Sequence, residues 1–473
     1  MVDGRALTAQ FEDAADFETR KVLCGGQLLT VLFLDGLTSG GDIAEQVVRP
    51  LAQMTDEARE EVLYTRALQG GVWCASVKEP ESTQQAAELL VNGFCVILFP
   101  GSGKALGCEV KTGEKRSPSP PETENTVKGA KDAFTETLRT NTSLVRRHLR
   151  TPGLRLTETV IGKRTLTKVT VCWIGGLTDP ELPRRMQERL SSIDIDGALS
   201  PAAIEEYVTG SRRTAFPLLE YTERTDHFCQ GLLDGQVGLL ADGLPLGYLA
   251  PVGLGRLMRS PEDRATDFFS ASMLRLLRYA ALGVSLLLPA LYAAMAMFHQ
   301  QMLPTKLLLS IIESKQNVPF STLLEVLGLL CAFELLQQAG LHLPQAVGTA
   351  VSIIGGLVVG TAAVDAKLVS PAALIVTASS GICGFTLPNR ELSDAVRLWR
   401  FVLTVLAGLW GLFGVTVGLL LLLTELAGLE SLGRSYLSPF GRAEVKGALV
   451  RPRLVRQKWR DGALKPMDDQ NQR

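Results

Sequence analysis

SIIGGLVVGTAAVDAKLVSP, residues 352–371, is too apolar for a loop, and small residues replace bulky ones along one side of it. Together with the residues before it, its apolar part is long enough to cross the ~30 Å hydrocarbon layer of a membrane as a helix. The run ends at Asp365 and Lys367, because charged side chains are costly in hydrocarbon. Ser370 and Pro371 then form a favourable helix start, so we expect a tight helical hairpin here.

Small and hydroxylated side chains recur along this predicted helix at spacings of three and four residues. Thr349, Ser352, Gly356 and Gly360 therefore lie on one helix face. Small residues let two helix backbones approach closely in lipid. A narrow stripe that carries hydroxyls can also line a water-filled path, in which bulky side chains would block passage. The sequence leaves both interpretations open, helix packing and pore lining.

Further apolar segments of about 20 residues lie in the same half of the chain, each long enough to span a bilayer. The four predicted spans are residues 279–298, 346–364, 368–389 and 401–424. The sequence therefore predicts a multi-pass membrane protein with a large soluble N-terminal half.

Basic residues set the predicted orientation, because loops rich in arginine and lysine stay in the cytoplasm. The first span is preceded by Arg256, Arg259, Arg264, Arg275 and Arg278, and a basic tail follows the last span. Both ends are thus expected in the cytoplasm, and we expect four spans plus a re-entrant or interfacial segment at residues 321–338. This arrangement leaves Arg390, Arg397 and Arg400 outside. A fifth crossing by residues 321–338 would correct that, but it would put the tail outside.

Two acidic residues, Glu325 and Glu334, lie in an apolar segment. Ionisable groups at membrane depth cost ~2.5–3.5 kcal/mol on insertion scales and are candidates for function. Nine residues at about 100° each put the two side chains on opposite helix faces, so both cannot line one path. The alternative is an amphipathic segment at the membrane interface, where the carboxylates would reach water.

Two blocks of the soluble half occur twice at nearly the same offset. TVLFLDGLT (30–38) and TVCWIGGLT (170–178) lie 140 residues apart, and each is a strand-like run followed by a helical pattern. GFCVILFPGSGKALGCEV, from Gly93, and GQVGLLADGLPLGYLAPV, from Gly235, lie 142 residues apart and are typical of strand, turn and strand. We therefore predict duplicated α/β lobes, with residues 20–110 and 160–252 folding alike.

A linker rich in proline, serine and charge, EKRSPSPPETENTVKGAK (114–131), separates the two copies. FTETLRTNTSLVRRHLR (134–150) then predicts a helix with an apolar stripe. That stripe consists of Leu138, Val145 and Leu149. Another face carries Arg139, Ser143, Arg146 and Arg150. This basic stripe could bind an acidic partner surface or anionic lipid head groups, or it could be a solvated face.

No motif in the chain predicts an enzyme. FPGSGKALG resembles a phosphate-binding loop, but Leu98 stands where that loop needs glycine and Ala105 where it needs serine or threonine, so a hairpin turn is the better interpretation. The four histidines and eight cysteines are scattered, without the spacing of a metal site. We expect no catalytic residue, metal or cofactor. With 48 Lys and Arg against 49 Asp and Glu, no basic surface predicts nucleic-acid binding.

The predicted fold class is an α/β soluble N-terminal half of two tandem α/β lobes, followed by an α-helical multi-pass membrane domain. The expected divisions are a first cytoplasmic lobe (16–112), a linker and basic helix (113–158), a second cytoplasmic lobe (159–255), a membrane domain with four to five membrane segments (256–430) and a basic cytoplasmic tail (431–473).

A series of sequence blocks from about residue 16 to 440 resembles, in unbroken order, the A subunit of the GerA-type spore germinant receptors. The blocks are KVTVCWIGGLTDPEL, LRTNTSLVRRHLR, PLLEYTERTDHF, SPEDRATDFFSASMLRLLRY, LPALYAAMAMFHQQMLPTKLLLSI, AVSIIGGLVVGTAAVDAKLVSP, FTLPNRELSDAVRLWRF and YLSPF. Several are long and unusual, so the resemblance is specific. This chain departs from the family where Thr361, Asp365 and Lys367 replace the usual Gln, Glu and Gly, and where Glu313 replaces a common Ala.

The resemblance implies a protein of the bacterial spore inner membrane that works with a transporter-like B subunit and a lipoprotein C subunit. Nutrient sensing in the family is ascribed mainly to the B subunit. The A subunit is ascribed the role of a homo-oligomer, a pentamer, that forms a ligand-gated channel and releases ions early in germination. No nutrient-binding residue transfers from the family to this chain.

We therefore expect a non-enzymatic, channel-forming subunit of a nutrient receptor, whose two lobes assemble or gate the membrane part. A secondary transporter subunit is one alternative, although the membrane half shows no obvious inverted repeat. A membrane-anchored scaffold for a signalling complex is another, in which the helices serve only as anchors.

Overall fold

The structure is a computed structural model. It describes residues 2–55, 58–111, 121, 124, 128–210, 214–342 and 360–438, and in the tail residues 440, 447, 449–453, 455, 457, 459–460 and 462–471.

The described part of the first lobe contains a five-stranded antiparallel sheet. Its strands are β1 (Phe17–Cys24), β2 (Gln27–Leu34), β3 (Val77–Lys78), β4 (Phe94–Phe99) and β5 (Lys104–Glu109), in the order β1-β2-β4-β5-β3. Its helices are α1 (Gly4–Ala9), the run α2 (Gly40–Asp42, Ile43–Val48 and Arg49–Gln53), α3 (Glu60–Arg66, continued by Ala67–Gly71) and α4 (Thr83–Val91). The glycine-rich sequence before Lys104 is the turn of the β4–β5 hairpin, as predicted.

The described part of the second lobe repeats this topology. Its strands are β6 (Leu154–Ile161), β7 (Thr167–Ile174), β8 (Glu220–Thr222), β9 (Val237–Ala241) and β10 (Gly247–Ala250), in the order β6-β7-β9-β10-β8. Its helices are α5 (Leu138–His148), α6 (Glu181–Ser191), α7 (Pro201–Thr209) and α8 (Thr225–Leu233). The predicted tandem α/β lobes are confirmed, because both sheets have the same strand order.

Strand register is also shared by the two lobes. Val31 pairs with Ile97 between β2 and β4, and Val171 pairs with Leu239 between β7 and β9. These pairs lie at the offsets of 140 and 142 residues found in the sequence. A shift of one residue would turn every side chain to the other face of the sheet, so the common register preserves the same buried positions in both lobes.

Helices cover both faces of each sheet, which explains why the central strands are buried on both sides. In the first lobe α2 and α3 cover one face, and α1 and α4 cover the other. In the second lobe α6 and α7 cover one face, and α5 and α8 cover the other. The predicted apolar stripe of α5 is buried in this core. Helix α5 is therefore part of the second lobe, although the sequence assigned it to a linker region.

The boundary between the lobes differs from the expected one. β6 begins at Leu154, inside the region 113–158 that was expected to precede the second lobe. Leu7, which precedes the expected start of the first lobe, is buried in that lobe's core. The backbone N–H of Ala15 donates to the carbonyl of Leu156, at 2.8 Å, so the two lobes also share a direct backbone contact.

The helical half begins after the second sheet. Its helices are α9 (Leu254–Leu257), α10 (Glu262–Ala265), α11 (Phe268–Met297), α12 (Thr305–Lys315), α13 (Thr322–His342), α14 (Pro371–Phe385) and α15 (Arg390–Gly428). Among the described residues, α11, α13 and α15 contain stretches long and apolar enough to cross a membrane, and α14 is apolar but shorter. Residues 322–342, which include most of the segment expected to be re-entrant or interfacial, form one unbroken helix of spanning length.

Helix α15 turns back on itself in the middle. Gly411 has φ 62° and ψ −141°, which interrupts the helix at that residue. Beyond the interruption, a Cβ atom on Gly418 would overlap the side chain of Leu403. In a straight helix these two positions would lie ~22 Å apart along the axis. The chain therefore forms two adjacent arms, residues 390–410 and 412–428.

The turn lies at the end of the helical half that is farthest from the lobes. A Cβ atom on Gly411 would lie 2.8 Å from His299, which follows the end of α11. Both ends of α15 instead lie near the second lobe, where Leu392 and Leu426 share a buried cluster with Val252. The single straight span predicted across this segment is therefore wrong.

Helices α13 and α14 also extend between the end of the helical half near the turn of α15 and the end near the second lobe. Leu323, at the start of α13, lies against Gly408 near the turn of α15. Leu387, just after α14, lies in the buried cluster near the second lobe. Among the described residues, α11, α13, α14 and the two arms of α15 thus run between the two ends of the helical half. We call the end next to the second lobe the lobe side and the opposite end the far side.

Candidate functional site

Glu325 is buried near the far side of the helical half, with a side chain that is 0% exposed. Its Oε1 accepts a hydrogen bond from the backbone N–H of Ser370, the N-cap of α14. Lys315 Nζ lies 3.6 Å from Oε2. A buried carboxylate is costly unless it is paired and hydrogen-bonded. Glu325 therefore holds together the end of α12, the start of α13 and the start of α14.

Glu334 faces a different partner on α15. Arg397 Nη1 lies 2.7 Å from Glu334 Oε1, and it also donates to the side-chain oxygen of Gln337 one turn further along α13. Asp394 pairs with the same arginine. Glu325 and Glu334 thus make separate contacts with different partners.

Arg400 is buried at the centre of the helical half. Its Nη1 donates to Ser380 Oγ on α14 at 3.2 Å, and Ser380 Oγ donates to the carbonyl of Ser285 on α11 at 2.7 Å. This chain of hydrogen bonds joins three helices through one buried guanidinium. An ionisable group at this depth, between helices, is a functional candidate by default.

Only one member of the predicted small-residue stripe lies within the described residues. Gly360 is buried, and a Cβ atom there would meet Leu374 Cδ2 of α14 at 3.6 Å. Thr349, Ser352 and Gly356 lie outside the described residues, so the stripe remains a prediction.

The predicted stop and restart of the helix after the stripe is confirmed. Residues 360–365 are helical, and Lys367 follows with φ 56°. The Leu368 N–H donates to the carbonyl of Ala363 and the Lys367 N–H to that of Val364, each at 2.9 Å. This pattern is the Schellman cap, which favours glycine at the residue with positive φ. Lys367 stands at that position.

The arginines of α5 mostly join the two lobes. Arg139 lies 3.0 Å from Asp35 of the first lobe. Arg146 donates from Nε and Nη2 to the two carboxylate oxygens of Asp16, at 2.8 and 2.7 Å, and both side chains are 1% exposed. Arg150 is exposed. Neither interpretation drawn from the sequence, a partner surface or a solvated face, holds for Arg146.

The segment that leaves α15 returns to the second lobe. Ser431 Oγ donates to the carbonyl of Leu218 at 2.6 Å and accepts from the Val252 N–H at 3.0 Å. The Leu254 N–H donates to the carbonyl of Tyr436 at 2.8 Å. Because α11 also starts close to this lobe, the second lobe is fixed to both the first and the last long helix.

The ranges that the structure describes contain no group of three or more His, Cys, Asp or Glu side chains able to hold a metal ion. Five of the eight cysteines are buried, and all eight are free. The geometry described above is thus one of ion pairs and hydrogen bonds between helices and lobes.

A family model described as Bacillus/Clostridium GerA spore germination protein matches residues 5–466 of the chain. The chain belongs to this GerA family. Membership confirms the resemblance predicted from the sequence blocks and supports a role in spore germination.

Two relatives from Bacillus subtilis (strain 168) match this GerA-family chain over most of its length. "Uncharacterized membrane protein YfkQ" is 36% identical over 450 residues, which are 94% of this chain and 87% of the relative. Spore germination protein KA is 34% identical over 448 residues, 93% of this chain and 81% of the relative. The solved N-terminal domain of the A subunit of the Bacillus megaterium spore germinant receptor GerK3 is 24% identical with a TM-score of 0.42, over 52% of this chain and 92% of that domain.

Sequence reasoning missed the buried Arg400 and the partner of Arg146. Arg400 carried a usable signal, because it interrupts the apolar run RLWRFVLTV. Asp16 carried none, since it lies 130 residues from Arg146 in the chain. Only the fold brings that pair together.

Proposed function

We propose that this chain is the channel-forming A subunit of a nutrient germinant receptor. It oligomerises, as a pentamer, in the spore inner membrane and releases ions to trigger germination. A transporter-like B subunit and a lipoprotein C subunit complete the receptor, and the chain itself catalyses no reaction. Membership of the GerA family supports the germination role, and the charged side chains buried between the long helices support an ion path.

The attachment of the second lobe to both ends of the helical half carries the gating part of this proposal. A displacement of that lobe acts on α11 directly and on α15 through the contacts of Ser431 and Tyr436. Arg400 bonds α15 to α14 and, through Ser380, to α11. Relative movement of these helices would therefore have to rearrange a buried charge, and this rearrangement would open and close a path for ions.

The proposed topology places both termini and both lobes in the cytoplasm. The five described segments, together with the predicted span at residues 346–364, give six crossings. Arg390, Arg397 and Arg400 then belong to the arm of α15 that starts on the lobe side, in agreement with the excess of positive charge expected on the cytoplasmic side. An even number of crossings also keeps the basic tail inside.

The stripe of Thr349, Ser352, Gly356 and Gly360 is the proposed pore-lining or helix-packing face. Gly356→Leu should prevent assembly or block conduction, because overpacking a close helix contact costs ~1–3 kcal/mol and repeats in every subunit. Ser352→Ala keeps the volume small and should change conduction or its gating without loss of assembly. Leu357→Ala, off the stripe, is the matched control and should have the milder effect.

Release of monovalent ions from liposomes that contain the purified full-length chain tests the proposal, together with the mass of the detergent-solubilised assembly. A channel predicts flux that does not saturate with a transported nutrient and is lost in Gly356→Leu. Flux that saturates with one nutrient would favour a secondary transporter. An oligomer without any flux, alone or with its receptor partners, would favour a membrane-anchored scaffold.

A further inference from the structure

A cavity of ≈ 260 Å³ lies where the second lobe meets the first long helix. Helix α8 forms one wall, the segment from α9 to α10 forms another, and the start of α11 completes it. The charged residues that line it are Asp226, Arg256, Arg259, Asp263, Arg264 and Arg275. We call this cavity the arginine pocket.

Positive charge exceeds negative charge in the lining, with four guanidinium groups against two carboxylates. Asp226 is already bound by Arg224, at 2.7 Å. Asp263 is shared by two arginines, Arg275 at 3.1 Å and Arg278 at 2.8 Å. Both carboxylates are thus already engaged, and Arg256 of the lining also pairs with the buried Glu220 at 2.7 Å.

Asp234, just behind the lining, is shared in the same way by Arg256 at 3.0 Å and Arg264 at 3.1 Å. Burial lowers the pKa of Arg264, Asp234 opposes this shift, and the neighbouring Arg256 and Arg259 lower the pKa further. Like charges crowd one another here, and an anion in the pocket would relieve that crowding.

The start of α11 exposes apolar side chains beside the pocket. Phe269, Met273 and Leu277 are 73%, 65% and 56% exposed, whereas Arg275, on the same turns, is buried against the pocket. An apolar helix face next to a cluster of arginines is typical of the level at which lipid head groups meet acyl chains.

The basic tail adds further arginines at the same level. Arg451 Nη1 donates to the carbonyl of Thr266 at 2.6 Å, just before α11. The guanidinium of Arg453 lies 5.3 Å from the centre of the Phe268 ring. The tail therefore extends the positive surface of the pocket around the first turn of α11.

We propose that the arginine pocket binds the phosphate group of an anionic phospholipid, whose acyl chains lie along the exposed apolar face of α11. The planar guanidinium donates two parallel hydrogen bonds to phosphate oxygens, which makes arginine well suited to this group. Basic pockets beside membrane helices bind lipid head groups by this chemistry. The inference rests on the membrane location of α11, which is part of the proposed function, but not on channel activity.

The test measures the thermal stability of the purified full-length chain in detergent as a function of added ligand. The probes are dioctanoyl phosphatidylglycerol, dioctanoyl phosphatidylcholine and inorganic phosphate. We expect a saturable rise in the melting temperature with phosphatidylglycerol only. Arg259→Gln and Arg264→Gln should each weaken the apparent affinity about fivefold, the effect of removing one basic residue near a membrane surface.

Two further variants separate lipid binding from loss of structure. Arg264→Lys keeps the charge but loses the paired N–H donors of the guanidinium, so its affinity should lie between those of the parent and Arg264→Gln. Arg164→Gln removes an arginine that is exposed in the second lobe, far along the chain from the pocket, and should bind like the parent. Each variant is compared at its own melting temperature without lipid, so a folding defect does not count as a loss of affinity.

The proposal is overturned if Arg259→Gln and Arg264→Gln respond to phosphatidylglycerol like the parent, or if phosphatidylcholine stabilises the chain equally well. Equal stabilisation by inorganic phosphate at the same concentration would assign the pocket to free phosphate and reject the lipid. A chain that binds phosphatidylglycerol at the pocket but conducts no ions would refute the channel proposal and leave this one standing.

Discussion

Gly411→Ala should destabilise the chain strongly, because the turn of α15 depends on a backbone conformation open to glycine. A φ of 62° with ψ of −141° is sparsely populated by other residues and costs about 1–3 kcal/mol. The added methyl group would also lie 2.8 Å from His299 Cε1 and 3.0 Å from Phe298 Cβ. Overpacking of this kind costs a further ~1–3 kcal/mol, so we expect a loss of about 2–6 kcal/mol.

Gly428→Ala is the matched control, at the other end of the same arm. A Cβ atom there meets nothing within 4 Å, and alanine is favoured over glycine in a helix by about 0.5–1 kcal/mol. Thermal unfolding in detergent should therefore show a clear loss of stability for Gly411→Ala and none for Gly428→Ala. Equal melting temperatures for the two variants would show that Gly411 does not make the turn.

Cysteine labelling tests the turn itself. After Cys331 and Cys383 are replaced by serine, single cysteines are placed at Pro388, Leu412 and Gly428, and a membrane-impermeant maleimide is applied to right-side-out and inverted vesicles. The turn predicts that Pro388→Cys and Gly428→Cys react from the same side of the membrane and Leu412→Cys from the other. Labelling of Pro388→Cys and Gly428→Cys from opposite sides would restore the single straight span.

Arg146→Ala should lower the free energy of unfolding by about 3–5 kcal/mol, because it leaves a buried carboxylate without its partner. Arg150→Ala, at an exposed position just after the same helix, should change it by no more than about 0.5 kcal/mol, and thermal unfolding compares the two variants. The hydrogen bond with Asp132 raises the pKa of His148. Its stabilisation is therefore complete below the unfolded pKa of about 6.5 and is lost as the pH rises through the higher folded value. The gap in melting temperature between the parent and His148→Gln should therefore shrink as the pH is raised above about 6.5. Lys367→Gly should stabilise the chain by about 1 kcal/mol, because φ is 56° at that helix end; an unchanged melting temperature would contradict this reasoning.

The two lobes could be predicted from the sequence because their signals are local. Strand alternation, turn residues and the repeated blocks all lie within short windows, and the nearly equal offsets of the blocks correspond to matching strand registers in the two lobes. The roles of the α5 arginines could not be predicted in this way. Periodicity placed Arg146 on a polar face, but only the fold supplies the buried Asp16 that makes this face an interface between lobes.

The turn at Gly411 escaped prediction for a different reason. Apolar composition and length are the same for one long helix and for two shorter arms, and glycine is common in membrane helices. The small-residue stripe at residues 349–360 is the reverse case. Its spacing is clear in the sequence, but three of its four members lie outside the described residues, so it stays a prediction.

The charges on either side of α15 contained the missing information. Arg390, Arg397 and Arg400 precede its apolar part and the basic tail follows it, and the positive-inside rule assigns both groups to the same side of the membrane. A segment whose two ends lie on one side must cross an even number of times, so the apolar run between Arg400 and Arg434 needs a turn. Gly411 lies within that run and has a conformation suited to glycine. With four straight spans the three arginines lie outside, and with five the basic tail lies outside. A hairpin within α15 removes this conflict, because both basic groups then stay on the same side of the membrane.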